Sequence, residues 1–69
     1  MEVKRIYFYG NNGWSHCIMY TLSTDLHVPR VGDFIKNEYD EEFRVRSVVW
    51  EIPANSIIIN CDLIIDNYD

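Results

Sequence analysis

Pro29 and the Gly32-Asp33 pair constrain this chain most. The run Pro29-Arg30-Val31-Gly32-Asp33-Phe34-Ile35 is answered, across an acidic turn, by Arg44-Val45-Arg46-Ser47-Val48-Val49-Trp50. Proline cannot continue a helix, glycine accepts corner geometries that other residues avoid, and the β-branched and aromatic residues that follow suit a pleated surface. The same punctuation returns at intervals of about ten residues, a rhythm of short strands joined by turns rather than of helices.

Five strands follow from that rhythm. Residues 3–9 alternate basic and apolar neighbours, and Gly10-Asn11-Asn12-Gly13 can close a hairpin because its residues tolerate positive φ. Residues 14–22 place Trp14, His16, Ile18, Tyr20 and Leu22 on one face and Ser15, Cys17, Met19 and Thr21 on the other. Residues 23–29 read as a loop, because Pro29 leaves no room for a helix after the Ser23-Thr24-Asp25 cap signal. Short runs at 34–37, 42–50 and 56–64 complete the set, with a polar turn at 38–41 and a break at Pro53-Ala54-Asn55. In the last strand Ile57, Ile59, Cys61 and Leu63 share one side, whereas Ile58 and Ile64 fall with Asn60 and Asp62 on a mixed side that suits an edge, a second small core or a partner surface.

A chain of 69 residues holds one domain, and such a domain buries only about 60% of the surface its unfolded form exposes. Closure into a barrel is the economical solution, since it removes edges that recruit other chains. The expected fold is therefore all-β, a small five-stranded antiparallel SH3-like barrel spanning residues 1–65, with an acidic tail over 66–69. An OB-like barrel is the alternative, disfavoured by length and by the lack of an intervening helix.

The run Val28-Pro29-Arg30-Val31-Gly32-Asp33-Phe34-Ile35, then Phe43-Arg44-Val45, Ser47-Val48-Val49-Trp50 and a closing strand at Ile57-Ile58-Ile59, resembles small SH3-like proteins carried by phages and bacterial mobile elements. The resemblance covers residues 28–63 and its motif is structural: glycine and aspartate shape the corner, while Phe43, Val45, Val49 and Trp50 fill or cover the barrel. It implies the fold and a genomic habitat rather than an activity.

Charge narrows the partners. Six Lys and Arg against eleven Asp and Glu give a formal charge of −5, which repels duplex nucleic acid and anionic membranes at long range. The amino terminus lacks the charged start and apolar run of a secretory signal, and the longest apolar runs fall far short of the ~20 residues of a spanning helix, so the cytoplasm of a bacterial host is the expected location. Cys17 and Cys61 stand alone on different strands and read as two buried thiols rather than a disulfide.

Catalytic and metal chemistry find little support. His16, Cys17, His27 and Cys61 lack the close spacing that preorganises a zinc site, and the adjacent His16 and Cys17 point to opposite faces. Asp40, Glu41 and Glu42 lack an accompanying nucleophile or positioning motif, and Gly10-Asn11-Asn12-Gly13 lacks the lysine and helix of a phosphate cradle. No enzyme activity, cofactor or metal is expected.

The expected function is that of an acidic interaction module that inhibits a host protein with a basic surface, such as a CRISPR or restriction complex. Tyr39, Asp40, Glu41, Glu42, Glu51, Asp62, Asp66, Tyr68 and Asp69 are the candidate partner-binding residues: carboxylates steer the encounter, and exposed tyrosines supply the anchors. Alternate carboxylates on a strand lie about 6.6 Å apart, close to the ~6.8 Å of two phosphate steps, so Asp40 and Glu42 could imitate a nucleic-acid backbone. One alternative is a single-strand nucleic-acid binder using Tyr7, Tyr9, Trp14 and Tyr20 for stacking and Lys4, Arg5, Arg44 and Arg46 for the backbone. Another is a virion or homo-oligomeric structural protein, for which the mixed face of the last strand is the clue.

Overall fold

A computed structural model describes residues 3–21 and 28–65. Its elements are β1 (Val3–Gly10), β2 (Ser15–Thr21), β3 (Phe34–Lys36), β4 (Glu42–Glu51) and β5 (Ser56–Leu63). They form one five-stranded sheet in the order β2-β1-β5-β4-β3, curled into a half-barrel.

The all-β architecture is as expected, but one seam corrects the antiparallel expectation: β1 and β5 run parallel, with Ile6 opposite Ile57 and Phe8 opposite Ile59. The reason is parity. Successive strands reverse direction along this chain, so the first and fifth point the same way, and pairing them at the sheet centre makes that ladder parallel. Strands β2 to β4 together serve as the long crossover that a parallel pair requires. The edges of the sheet are β2 and β3.

Ile6 and Phe8 from β1, Phe43 and Val45 from β4, and Ile57, Ile59 and Cys61 from β5 line the concave side and are buried. Trp14, Ile18, Val28, Ile35, Val48 and Leu63 pack around them. Every second residue of β5 is thus committed to the core, as the alternation requires. Each fully buried aliphatic or aromatic side chain contributes about 1.5–3 kcal/mol, which is how so small a sheet stands without a staple.

Two turns set the register. At the Arg30–Asp33 corner the Asp33 N–H donates to the Arg30 carbonyl at 3.0 Å, and the Asp33 carboxylate accepts the Arg30 N–H at 2.9 Å. Gly32 sits at φ 96°, where a side chain would be strained. The corner is sewn to β4, since the Gly32 N–H donates to the Val45 carbonyl and the Val45 N–H to the Asp33 carbonyl, at 3.0 and 2.8 Å. At the β1–β2 hairpin, Gly10 is needed for a different reason: a Cβ there would lie 2.7 Å from Cε2 of Phe43.

A bulge in β4 overturns another expectation. Val45 pairs with Cys61 and Ser47 with Asn60, so Arg46 is an extra residue. Beyond it the inward parity switches: Val48, opposite Ile59, packs on the core, while Val49 is 45% exposed. Trp50 regains the inward parity opposite Ile57, but at the end of the sheet it remains 53% exposed. Val49 therefore neither fills nor covers the barrel, whereas Trp50 lies on the covering side at its end without being buried.

Candidate interaction surface

The β3–β4 turn and the first residue of β4 hold four of the nine expected partner-binding residues, Tyr39, Asp40, Glu41 and Glu42, and Asn37 organises the turn. Its Oδ1 accepts the N–H groups of Tyr39 and Glu41 at 3.0 and 2.9 Å, and its Nδ2 donates to Glu41 Oε1 at 2.8 Å. The Asn37 N–H donates to the Glu41 carbonyl and the Asp40 N–H to the Asn37 carbonyl, both at 3.1 Å. Asparagine suits this position because its amide mimics a backbone turn. The chain closes the hairpin by placing Asp40 in the left-handed region at φ 61°. Tyr39 projects from the tip and is 73% exposed.

The carboxylates around this tip divide into two groups. Asp40 and Glu42 face solvent, Asp40 beside Lys36 at 3.4 Å. Glu41 and Glu38 are engaged within the fold. Glu41 accepts from Asn37 and, at 3.4 Å, from Asn12 Nδ2 of the β1–β2 hairpin. Glu38 accepts the Trp14 indole N–H at 2.6 Å and stands 3.7 Å from His16 Nδ1. These bonds tie the β1–β2 hairpin to the β3–β4 turn across the seam between the two edge strands. Sequence reasoning did not find the brace, although a partly buried indole N–H needs an acceptor.

The remaining candidates do not join one patch. Glu51 is exposed at the far end of β4, about 30 Å of extended strand from Glu42. Asp62 faces Arg44 across the β4–β5 ladder and pairs with Arg46 Nε at 3.1 Å. Asp66, Tyr68 and Asp69 lie outside the described residues. The phosphate-spacing argument fails at Asp40, whose left-handed turn geometry removes it from the strand that would set the repeat.

The aromatic platform is corrected too. Tyr7 and Tyr9 stack on the convex face, ring centroids 6.4 Å apart. Trp14 packs on the opposite, concave face against Phe43 at 5.1 Å and Phe8 at 6.2 Å, so the three rings share no surface. The side chain of Tyr20 and all of His27 lie outside the described residues.

The cysteines are free and stand on opposite faces of the sheet. Cys17, expected to be buried, is exposed on the convex side opposite Tyr7, while Cys61 is buried opposite Val45. Burial pushes the Cys61 thiol above its ordinary pKa, neighbouring Asp62 adds to the rise, and Arg46 opposes it. Among the described residues no three His, Cys, Asp or Glu side chains gather in a metal-binding group, and no helix is long and apolar enough to cross a membrane. No protein family, curated protein or solved structure matches the chain.

Proposed function

We propose that this protein is a non-enzymatic, SH3-like interaction module of the cytoplasm that binds a partner protein through the β3–β4 turn. The supporting observation is Tyr39, 73% exposed on a turn whose backbone Asn37 has already fixed, with the Glu42 carboxylate and the Lys36-paired Asp40 carboxylate facing solvent beside it. An aromatic side chain with few rotatable bonds on an already fixed backbone loses little entropy on docking, and flanking charges steer a basic surface toward it. The corner and meander from Arg30 onward support the SH3-like reading, and the resemblance to phage and mobile-element proteins makes inhibition of a bacterial defence complex the concrete form.

Tyr39→Ala and the pair Asp40→Asn with Glu42→Gln separate the two roles. A partner captured from bacterial lysate by the parent chain is expected to dissociate faster from the first variant. From the second it is expected to associate more slowly, with a flatter salt dependence. Equal binding of all three proteins at low salt removes the turn from the interface. Salt-sensitive binding of labelled single-stranded oligonucleotides, lost on Tyr7→Ala, would favour the nucleic-acid alternative.

A further inference from the structure

The β1–β2 hairpin holds the groups for a covalent reaction. Of the chain's asparagines only Asn12 is followed by glycine. A backbone nitrogen attacks the side-chain amide of the preceding residue only where little bulk surrounds it, and glycine brings the least. Asn12 and Gly13 are both exposed, and a Cβ placed on Gly13 would meet nothing within 4 Å, so the turn has room to rearrange. The Gly13 N–H donates to the Gly10 carbonyl at 3.2 Å, and a bond of that kind in an exposed turn opens locally without unfolding the sheet.

The amide under attack is held at both ends. Asn12 Oδ1 accepts the Trp14 N–H at 3.2 Å, and Asn12 Nδ2 donates to Glu41 Oε2 at 3.4 Å. Negative charge develops on Oδ1 as the amide carbon is attacked, so a donor already aimed at that oxygen favours the step. The other turn asparagines lack the opening. Asn37 precedes Glu38, whose side chain is bonded to Trp14, and Asn55 precedes Ser56, which is buried and bonded to the Ala54 carbonyl.

We propose that Asn12 is a site of spontaneous deamidation whose conversion detaches the β1–β2 hairpin from the β3–β4 turn. The Gly13 nitrogen gives its proton to solvent and bonds to Cγ of Asn12; the Cγ–Nδ2 bond breaks, and the departing nitrogen takes up a proton and leaves as ammonia. The cyclic imide then adds water. Opening at Cγ leaves an aspartate at position 12, and opening at the main-chain carbonyl leaves an isoaspartate, whose backbone is one methylene longer. Neither product keeps the amide donor to Glu41, and the aspartate sets a like charge against that carboxylate. The isoaspartate also lengthens the chain between Gly10 and Trp14, whose N–H to carbonyl bond of 2.7 Å closes the hairpin. This goes beyond the partner-binding role of Tyr39 and is read on the purified chain alone, so its failure leaves that role untouched.

Ageing the purified chain for weeks at neutral pH and physiological temperature, followed by peptide mapping in a mass spectrometer, tests it. Aspartate and isoaspartate, each read as an NH group exchanged for oxygen, are expected at position 12 well before any other asparagine changes. An isoaspartate methyltransferase should label the aged parent chain and leave aged Asn12→Gln unlabelled. Asn12→Asp supplies one product directly. Its melting temperature is expected to fall by about 2–4 °C, and in a Glu41→Gln background the same substitution should cause no fall. An aged chain with Asn12 intact, or with Asn37 or Asn55 converted as fast, overturns the site. A melting temperature unchanged both in Asn12→Asp and in the aged chain overturns the detachment.

Discussion

The Trp14 indole donates its N–H to Glu38 at 2.6 Å, and by that bond residues from the two ends of the sheet order meet. The ring is sandwiched between Phe43 on the core side and His16 on the solvent side, at 5.1 and 6.1 Å. Where the edge strands offer no ladder, a side chain holds the seam.

Breaking this brace is expected to cost stability without unfolding the protein. Glu38→Ala should lower the free energy of unfolding by about 1 kcal/mol, the value of a charge-assisted bond discounted for a half-exposed carboxylate. In a double-mutant cycle with Trp14→Phe, measured by urea denaturation, most of that loss should appear as coupling. Additive effects would show that the bond contributes nothing of its own.

Gly10→Ala is expected to destabilise the fold by about 2 kcal/mol, because the added methyl would overlap the Phe43 ring. Gly13→Ala should also destabilise, but through its φ of 96°, since the space around it is open. Phe43→Leu distinguishes the causes: in thermal melts it should offset part of the Gly10→Ala loss and none of the Gly13→Ala loss.

The turn that presents Tyr39 contains a removable strain. Asp40→Gly should raise stability by up to about 1 kcal/mol by relieving the left-handed backbone. Asn37→Ala should lower it by about 1–2 kcal/mol, because the bonds to Tyr39 and Glu41 go together. Denaturation midpoints that move in the same direction for both would contradict this account of the turn.

Cys61 makes stability depend on alkaline pH. Its pKa is raised above the ordinary 9.0 in the folded chain, so below that value both states hold the proton and nothing is lost. As pH rises, the unfolded thiol ionises first, the unfolded state binds fewer protons, and stability falls until the folded thiol also ionises. The fall relative to a Cys61→Val variant should start near the ordinary thiol pKa. A thiol reagent should meanwhile modify Cys17 in the native protein and reach Cys61 only on unfolding.

Much of this architecture is legible in the residues. Alternation placed Ile57, Ile59 and Cys61 on the buried side of β5, and Ile18 of β2 on the same face as Trp14 just before that strand, because pleating fixes a period of two whatever the neighbours do. The turn residues were nearly as direct: Gly32 with Asp33, Asn11 through Gly13 and Pro53 through Asn55 lie between strands, while Gly10 ends β1 instead of opening the turn. The exposure of Tyr39, Asp40 and Glu42 also agrees with the reading of that turn as polar.

What local chemistry could not set was the relation between distant strands. Nothing in Arg46 or Ser47 marks a bulge, yet that one extra residue moved Val49 outward and Val48 inward, because the register of β4 is decided by its match to β5. The same holds for the parallel β1–β5 ladder, the separation of Trp14 from Tyr7 and Tyr9, and the inward engagement of Glu38 and Glu41. Periodicity along a strand is a property of its own covalent geometry and can be read from the chain, whereas the partner across a ladder or a seam is chosen by global packing, and only the tertiary structure decided it.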